Sequence, residues 1–201
     1  MTLTAQEKWE YLRAEIDHNG IYRVRPNGRL IPAKAPNQGY AWQFYLRRCL
    51  FDPMFSLTAA ELLVAELSDK DVQIAACEDA GVPLGFAMSV VLGSPMLSIK
   101  KERKSYGLLN FTEGKATGKP LLLVDDLAGS QRTLVTAMGI LRAFKLPIAK
   151  EYVALVNKTE HPINLVEGKQ LMCLFTSNEF ALTWQEYVEK YNQEPNFGQA
   201  Y

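Results

Sequence analysis

Apolar positions along this chain follow two kinds of spacing. Behind Thr4-Ala5-Gln6-Glu7, which has the Thr-x-x-Glu form of a capping box, Trp9, Leu12 and Ile16 recur at helical intervals. Gly20 offers a left-handed stop, so the pattern predicts an N-terminal amphipathic helix. From Tyr22 to Pro36 the chain is broken by Pro26, Asn27-Gly28, Pro32 and Pro36, which suggests a hairpin around Asn27-Gly28. Tyr40 to Leu50 is aromatic enough for a strand that ends at Asp52-Pro53, and Thr58 is placed to cap a helix running to about Leu67. Farther on come short continuous apolar runs: Val72 to Cys77, Pro95 to Ile99, Leu121 to Val124, Tyr152 to Val156 and Leu171 to Phe175. Between them Gly81 to Val91 reads as a small, apolar, packed helix and Thr133 to Phe144 as an amphipathic one, with a closing helix near Glu179 to Tyr191. Short apolar strands alternating with helices argue for an α/β fold whose mostly parallel, twisted sheet is covered on both faces.

Composition narrows this picture. A chain of 201 residues with 48% hydrophobic residues can bury one sizeable core, and no repeat, low-complexity tract or linker divides it. A single domain over 1–201 is expected, with an N-terminal helix and hairpin region over 1–56 and the core over 57–201. Lys plus Arg and Asp plus Glu both count 22, so no global field holds nucleic acid or an anionic membrane, and any anion site is local. Met1 to Glu10 lacks the basic and apolar segments of a signal peptide, and no apolar run approaches the roughly 20 residues needed to cross a bilayer. Cys49, Cys77 and Cys173 are odd in number and far apart, which fits reduced, buried thiols in a cytoplasmic protein. His18 and His161 are isolated and lack the spacing of a metal site or a nucleophilic triad.

The strongest chemical signal is the run from Leu121-Leu122-Leu123-Val124 through Asp125-Asp126 and Leu127-Ala128-Gly129-Ser130-Gln131-Arg132 to Thr133. A buried strand ending in two acids, then a polar loop, then a helix, places carboxylates where open α/β sheets bind ligands. The next helix turn offers unpaired amides and a positive dipole end to a phosphate. Acids beside an anion site suit a ligand carrying both hydroxyls and phosphate, such as ribose 5-phosphate: carboxylates accept from vicinal hydroxyls, and Ser130, Thr133 and loop amides donate to phosphate oxygens. The plainer alternative is that Asp125 and Asp126 cap the helix or line a solvated loop.

That run resembles the phosphoribosyl pyrophosphate (PRPP) motif of the type I phosphoribosyltransferases. A second stretch, Met96-Leu97-Ser98-Ile99-Lys100-Lys101-Glu102-Arg103-Lys104-Ser105-Tyr106-Gly107 followed by Glu113-Gly114, is similar to the lysine-rich hood of orotate phosphoribosyltransferases, and Gly81-Val82-Pro83-Leu84 resembles the Gly-Ile-Pro-Leu helix start of that family. The resemblance implies the type I fold with a flexible hood. It implies that Lys100, Lys101 and Lys104 neutralise pyrophosphate, with Lys104 and Tyr106 reaching toward a partner subunit's site. It further implies that Asp125 and Asp126 hold the ribose hydroxyls, that Gly129, Ser130, Gln131, Arg132 and Thr133 cradle the 5-phosphate, that Mg²⁺ arrives with PRPP, and that the protein is a homodimer. On the base side, Lys158 stands where orotate enzymes carry Arg, and Tyr22, Arg23, Arg25 and Arg29 offer stacking and anion contacts or else form an ordinary charged hairpin. The chain departs from the family pattern at Gln131-Arg132, where small residues are usual, and at Asp79-Ala80, where a basic residue is usual in several members. The expected activity is Mg²⁺-dependent transfer of ribose 5-phosphate from PRPP to an orotate-like or other nitrogenous base, or the reverse. Its alternatives are a catalytically inactive sensor on the same fold and an interaction module.

Overall fold

The computed structural model describes residues 3–33, 38–100, 111–130, 132–158, 165–166 and 168–195. Helix α1 (Ala5–Asn19) carries the expected capping box: Thr4 Oγ1 accepts from the Glu7 amide and the Glu7 side chain accepts from the Thr4 amide. Gly20 ends it with φ −94°, a right-handed value, so the left-handed stop is corrected. Glycine is needed there for room, because a Cβ would stand 3.0 Å from Ile16 O and 3.2 Å from Cys49 Sγ.

The hairpin reading also changes. Asn27 does adopt φ 63° and the Gly28 amide donates to Arg25 O, but the turn does not join paired neighbours. Instead β1 (Ile21–Arg23), β2 (Ile31–Pro32), β3 (Gly39–Tyr40) and β4 (Trp42–Phe44) pair as β1 with β4 and β2 with β3, both antiparallel. The expected strand from Tyr40 to Leu50 therefore stops at Phe44 and gives way to the short helix α2 (Arg47–Leu50). Helix α3 (Pro53–Glu66) is capped by Asp52, whose Oδ1 accepts from the Met54 and Phe55 amides, with Pro53 in the first turn. Proline has no amide proton to orphan there, so Asp-Pro is a helix start. Thr58, expected to cap this helix, is buried inside it.

The remaining elements are β5 (Gln73–Cys77), α4 (Val82–Leu92), β6 (Met96–Ile99), β7 (Thr112–Glu113), β8 (Leu121–Ala128), α5 (Arg132–Ala143), β9 (Ile148–Asn157), β10 (Leu165–Val166), β11 (Lys169–Thr176) and α6 (Trp184–Tyr191). Helix α6 starts later than expected because Thr183 caps it with its own Thr-x-x-Glu box, while Glu179 belongs to the separate box that Thr176 forms. Among the described residues, the central sheet has seven strands in the order β10-β11-β9-β8-β5-β6-β7. Neighbours are parallel except at the edges, where β7 and β10 run antiparallel. Alternate residues of each strand leave opposite faces. Leu122 and Val124 of β8 join one core with α1, α3 and α4, and Leu121 and Leu123 join the other with α5.

The two ends of the described chain meet at one buried carboxylate. Asp17 of α1 pairs with Arg23 at 2.6 Å, both side chains being fully buried, and also accepts from Lys190 at 2.6 Å, from the Tyr191 hydroxyl at 2.7 Å and from the Ala181 amide. Arg23 in turn donates to Ala181 O and stacks over the Tyr187 ring at 4.5 Å.

Candidate functional site

The carboxyl ends of β5, β8 and β9 form the edge on which the sequence placed the site. Strand β8 does not stop at its acids, as expected, but runs through Asp125 and Asp126 to Ala128, because β9 continues to pair with it at Asp125↔Ala154, Leu127↔Val156 and Ala128↔Asn157. On its other side, the ladder to β5 ends at Ala76↔Val124. The turn from Glu78 to Gly81 lies against that opened edge: a Cβ on Gly81 would stand 2.7 Å from Val124 O, 2.8 Å from Cys77 O and 2.9 Å from Asp125 Cα. Glycine is therefore what lets the head of α4 rest directly on the acidic pair's backbone. Glu78 of this turn accepts from Ser98 Oγ at 2.6 Å, and the Glu78–Asp79 peptide is cis.

Within an extended strand, neighbouring side chains are presented separately. Asp125 is buried and its Oδ1 accepts from the Asp126 amide at 3.0 Å, while Asp126 is half-buried. Gly129 and Ser130 bridge toward α5, whose first turn carries exposed Arg132 and half-buried Thr133. A Cβ on Gly129 would meet nothing within 4 Å, so sterics demand no glycine at that point of the loop. Gln131 lies outside the described residues.

Lys100 is a buried residue of the sheet edge. Its ammonium pairs with Glu113 of β7 and its amide donates to Phe111 O, so its charge is already matched by a carboxylate. Lys101, Lys104 and Tyr106 lie outside the described residues, as does His161.

On the base side, the structure collects residues that lie far apart in sequence. Lys158 follows β9, and its amide donates to Ala128 O at 2.7 Å, which fixes it beside the end of the acidic strand. Its Nζ lies 5.0 Å from the Trp42 ring centre and 5.7 Å from that of Tyr40, and burial pulls its pKa below the usual lysine value. Tyr40 and Trp42 were visible to sequence reasoning only as part of an aromatic strand. Arg23 is corrected from pocket cation to buried structural residue through the Asp17 pair. Arg25 is exposed, 3.6 Å from Glu194 and 5.4 Å over the Trp184 ring, which places it against α6. Arg29 is exposed and Tyr22 half-buried.

Of the cysteines expected to be buried, Cys77 is buried and Cys173 is only half-buried. Cys49 is buried, and desolvation pushes its thiol up to about 12. His18 Nδ1 meets the Tyr187 hydroxyl at the α1–α6 contact. Among the described residues no His, Cys, Asp and Glu group could hold a metal on its own, and no helix is long and apolar enough to cross a membrane.

No protein-family model matches the chain. Over 124 residues it is 26% identical to an orotate phosphoribosyltransferase of Methanocaldococcus jannaschii, a match covering 61% of this chain and 66% of that protein. Over 109 residues it is 31% identical to an orotate phosphoribosyltransferase of Halobacterium salinarum, covering 53% and 62%. The chain thus spans slightly less than two thirds of these two curated relatives. Among solved structures, the orotate phosphoribosyltransferase of Mycobacterium tuberculosis H37Rv in complex with Fe(III) dicitrate superposes with a TM-score of 0.69 over 86% of this chain and 98% of that one, at 17% identity.

Proposed function

From a chain with the type I phosphoribosyltransferase fold and sequence similarity to orotate phosphoribosyltransferases, we propose a phosphoribosyltransferase that moves ribose 5-phosphate from PRPP to an orotate-like or other nitrogenous base, or runs the reverse pyrophosphorolysis. The carboxyl edge of β8 carries the reading. There a buried and a half-buried carboxylate stand beside the head of one helix and lead through Gly129-Ser130 into the amide-rich first turn of another.

Asp125 and Asp126 accept hydrogen bonds from ribose hydroxyls, and as the ring gains oxocarbenium character their negative charge stabilises it. The first turn of α5, with Ser130, Thr133 and Arg132, holds the 5-phosphate. Lys158 supplies a point charge for an anionic base. The hood residues Lys101, Lys104 and Tyr106 then meet the pyrophosphate and exclude water. Mg²⁺ fits this donor set. Asp125 and Asp126 would offer it carboxylate oxygens, the donor type a hard cation prefers, and substrate phosphates and water would complete its ligands. Bound there, it would supply neutralisation of leaving-group charge. A homodimer accompanies this reading, and exposed Phe51, Met54, Phe86 and Val90 on and beside α3 and α4 support it as apolar surface that a second copy would cover.

The test is calorimetric titration with PRPP and Mg²⁺ of the native chain and of the Asp125→Asn/Asp126→Asn double variant. Micromolar binding that the variant loses, followed by turnover with orotate, is the expected result. Absence of PRPP binding by the native chain would refute the transferase reading.

A further inference from the structure

We infer that Tyr40 and Trp42 are positioning residues, an aromatic bracket that holds the Lys158 ammonium in place for the anionic acceptor proposed above. The inference rests on the reading of the carboxyl edge as the acceptor site and adds two positioning residues to it.

Three observations carry it. The ammonium lies 5.0 Å from the Trp42 ring centre and 5.7 Å from that of Tyr40, both within reach of cation–π attraction. No described carboxylate makes an ion pair with it, unlike Lys8, Lys100, Lys119 and Lys190, each of which has an acidic partner. The backbone under it is tied to Ala128, the last residue of the acidic strand, by the 2.7 Å bond to Ala128 O.

A half-buried ammonium with no carboxylate partner among the described residues is costly, and aromatic faces recover part of that cost without consuming the charge. A carboxylate in place of the rings would neutralise the lysine and repel an anionic acceptor. The rings leave its charge available and limit the directions in which its flexible stem can point, which offsets the fork geometry that an arginine would have provided. Tyr40 sits in β3 and Trp42 in β4, so the N-terminal strands position the bracket against a residue from the far side of the chain. Tyr40 is 53% exposed, which leaves the bracket open to an entering ring.

The test uses orotate, a planar heterocycle with a carboxylate, and uracil, the same ring without it. Equilibrium binding is measured by calorimetry, with and without PRPP and Mg²⁺, for the native chain, Trp42→Leu, Trp42→Phe and Lys158→Gln, each checked by thermal melting. Trp42→Leu is expected to weaken orotate about tenfold and Lys158→Gln at least as much. Trp42→Phe should recover to within about threefold, and uracil should bind weakly and alike to all. Independently, reductive ¹³C-dimethylation should give a Lys158 resonance shifted upfield by the rings, a shift that Trp42→Leu abolishes while Lys158→Gln removes the signal and so assigns it. Orotate binding that depends on Lys158 and Trp42 in a chain that neither binds PRPP nor turns over would sink the transferase and leave the receptor standing. An unshifted Lys158 resonance, no orotate binding by the native chain, or undiminished orotate binding by Lys158→Gln would overturn the inference.

Discussion

Gly81→Ala adds one methyl group where the structure has no room for it. The new Cβ would lie 2.7 Å from Val124 O, 2.8 Å from Cys77 O and 2.9 Å from Asp125 Cα, against ordinary contacts of 3.4–4 Å. All three neighbours are backbone, so no side chain can swing away. Either the head of α4 lifts or the β8 edge retreats, by roughly half to one ångström, the kind of overpacking that costs about 1–3 kcal/mol. The backbone angles, φ −76° and ψ −14°, are open to alanine, so the whole penalty is steric. For a chain of this size that loss lowers Tm by roughly 2–12 °C. Because one of the crowded atoms belongs to Asp125, PRPP affinity should fall by more than the global loss explains, since the fully folded fraction still carries the displaced edge. Differential scanning calorimetry and PRPP titration at a temperature well below the transition separate the two effects. An unchanged Tm together with native PRPP affinity would refute the claim that α4 rests on the acidic strand.

Two further outcomes follow from buried charge. Asp17→Ala leaves Arg23 fully buried without its carboxylate, and should cost about 3–5 kcal/mol in urea unfolding; a loss under about 1 kcal/mol would show that the network is slack. Burial lowers the folded-state pKa of Lys158, so between that value and its ordinary 10.5 the unfolded chain binds more protons and the residue's penalty lifts as pH rises. The stability gap between the native chain and Lys158→Met should therefore shift in the native chain's favour on raising pH through that window, measured as the difference between paired denaturation curves, and a gap that stays constant would contradict the burial.

The parallel strands and the acidic edge were legible because both leave local marks: continuous apolar runs, and two carboxylates after one of them. What escaped depends on partners distant in sequence. Strand β8 passes through Asp125 and Asp126 because β9 supplies bonds as far as Asn157, and no periodicity within β8 reveals that. Arg23 reads as a surface cation until Asp17 and the Tyr187 ring are seen around it. Lys158 was singled out by position, while its aromatic neighbours come from the other half of the chain. Asp52-Pro53 is the opposite case, a local mark that was present and read as a strand end although its chemistry is that of a helix cap.

Asp17 ties together residues that a ribosome delivers at opposite times. Arg23 emerges soon after it, but Lys190 and Tyr191 appear only when nearly every other described residue has been made. Until then the Asp17–Arg23 pair lacks the cover that Lys190, Tyr191 and the Tyr187 ring give it in the finished fold. The nascent chain therefore cannot finish its first helix's packing before its last helix exists, and an emerging chain stalled short of α6 should present that opened polar seam to chaperones and proteases.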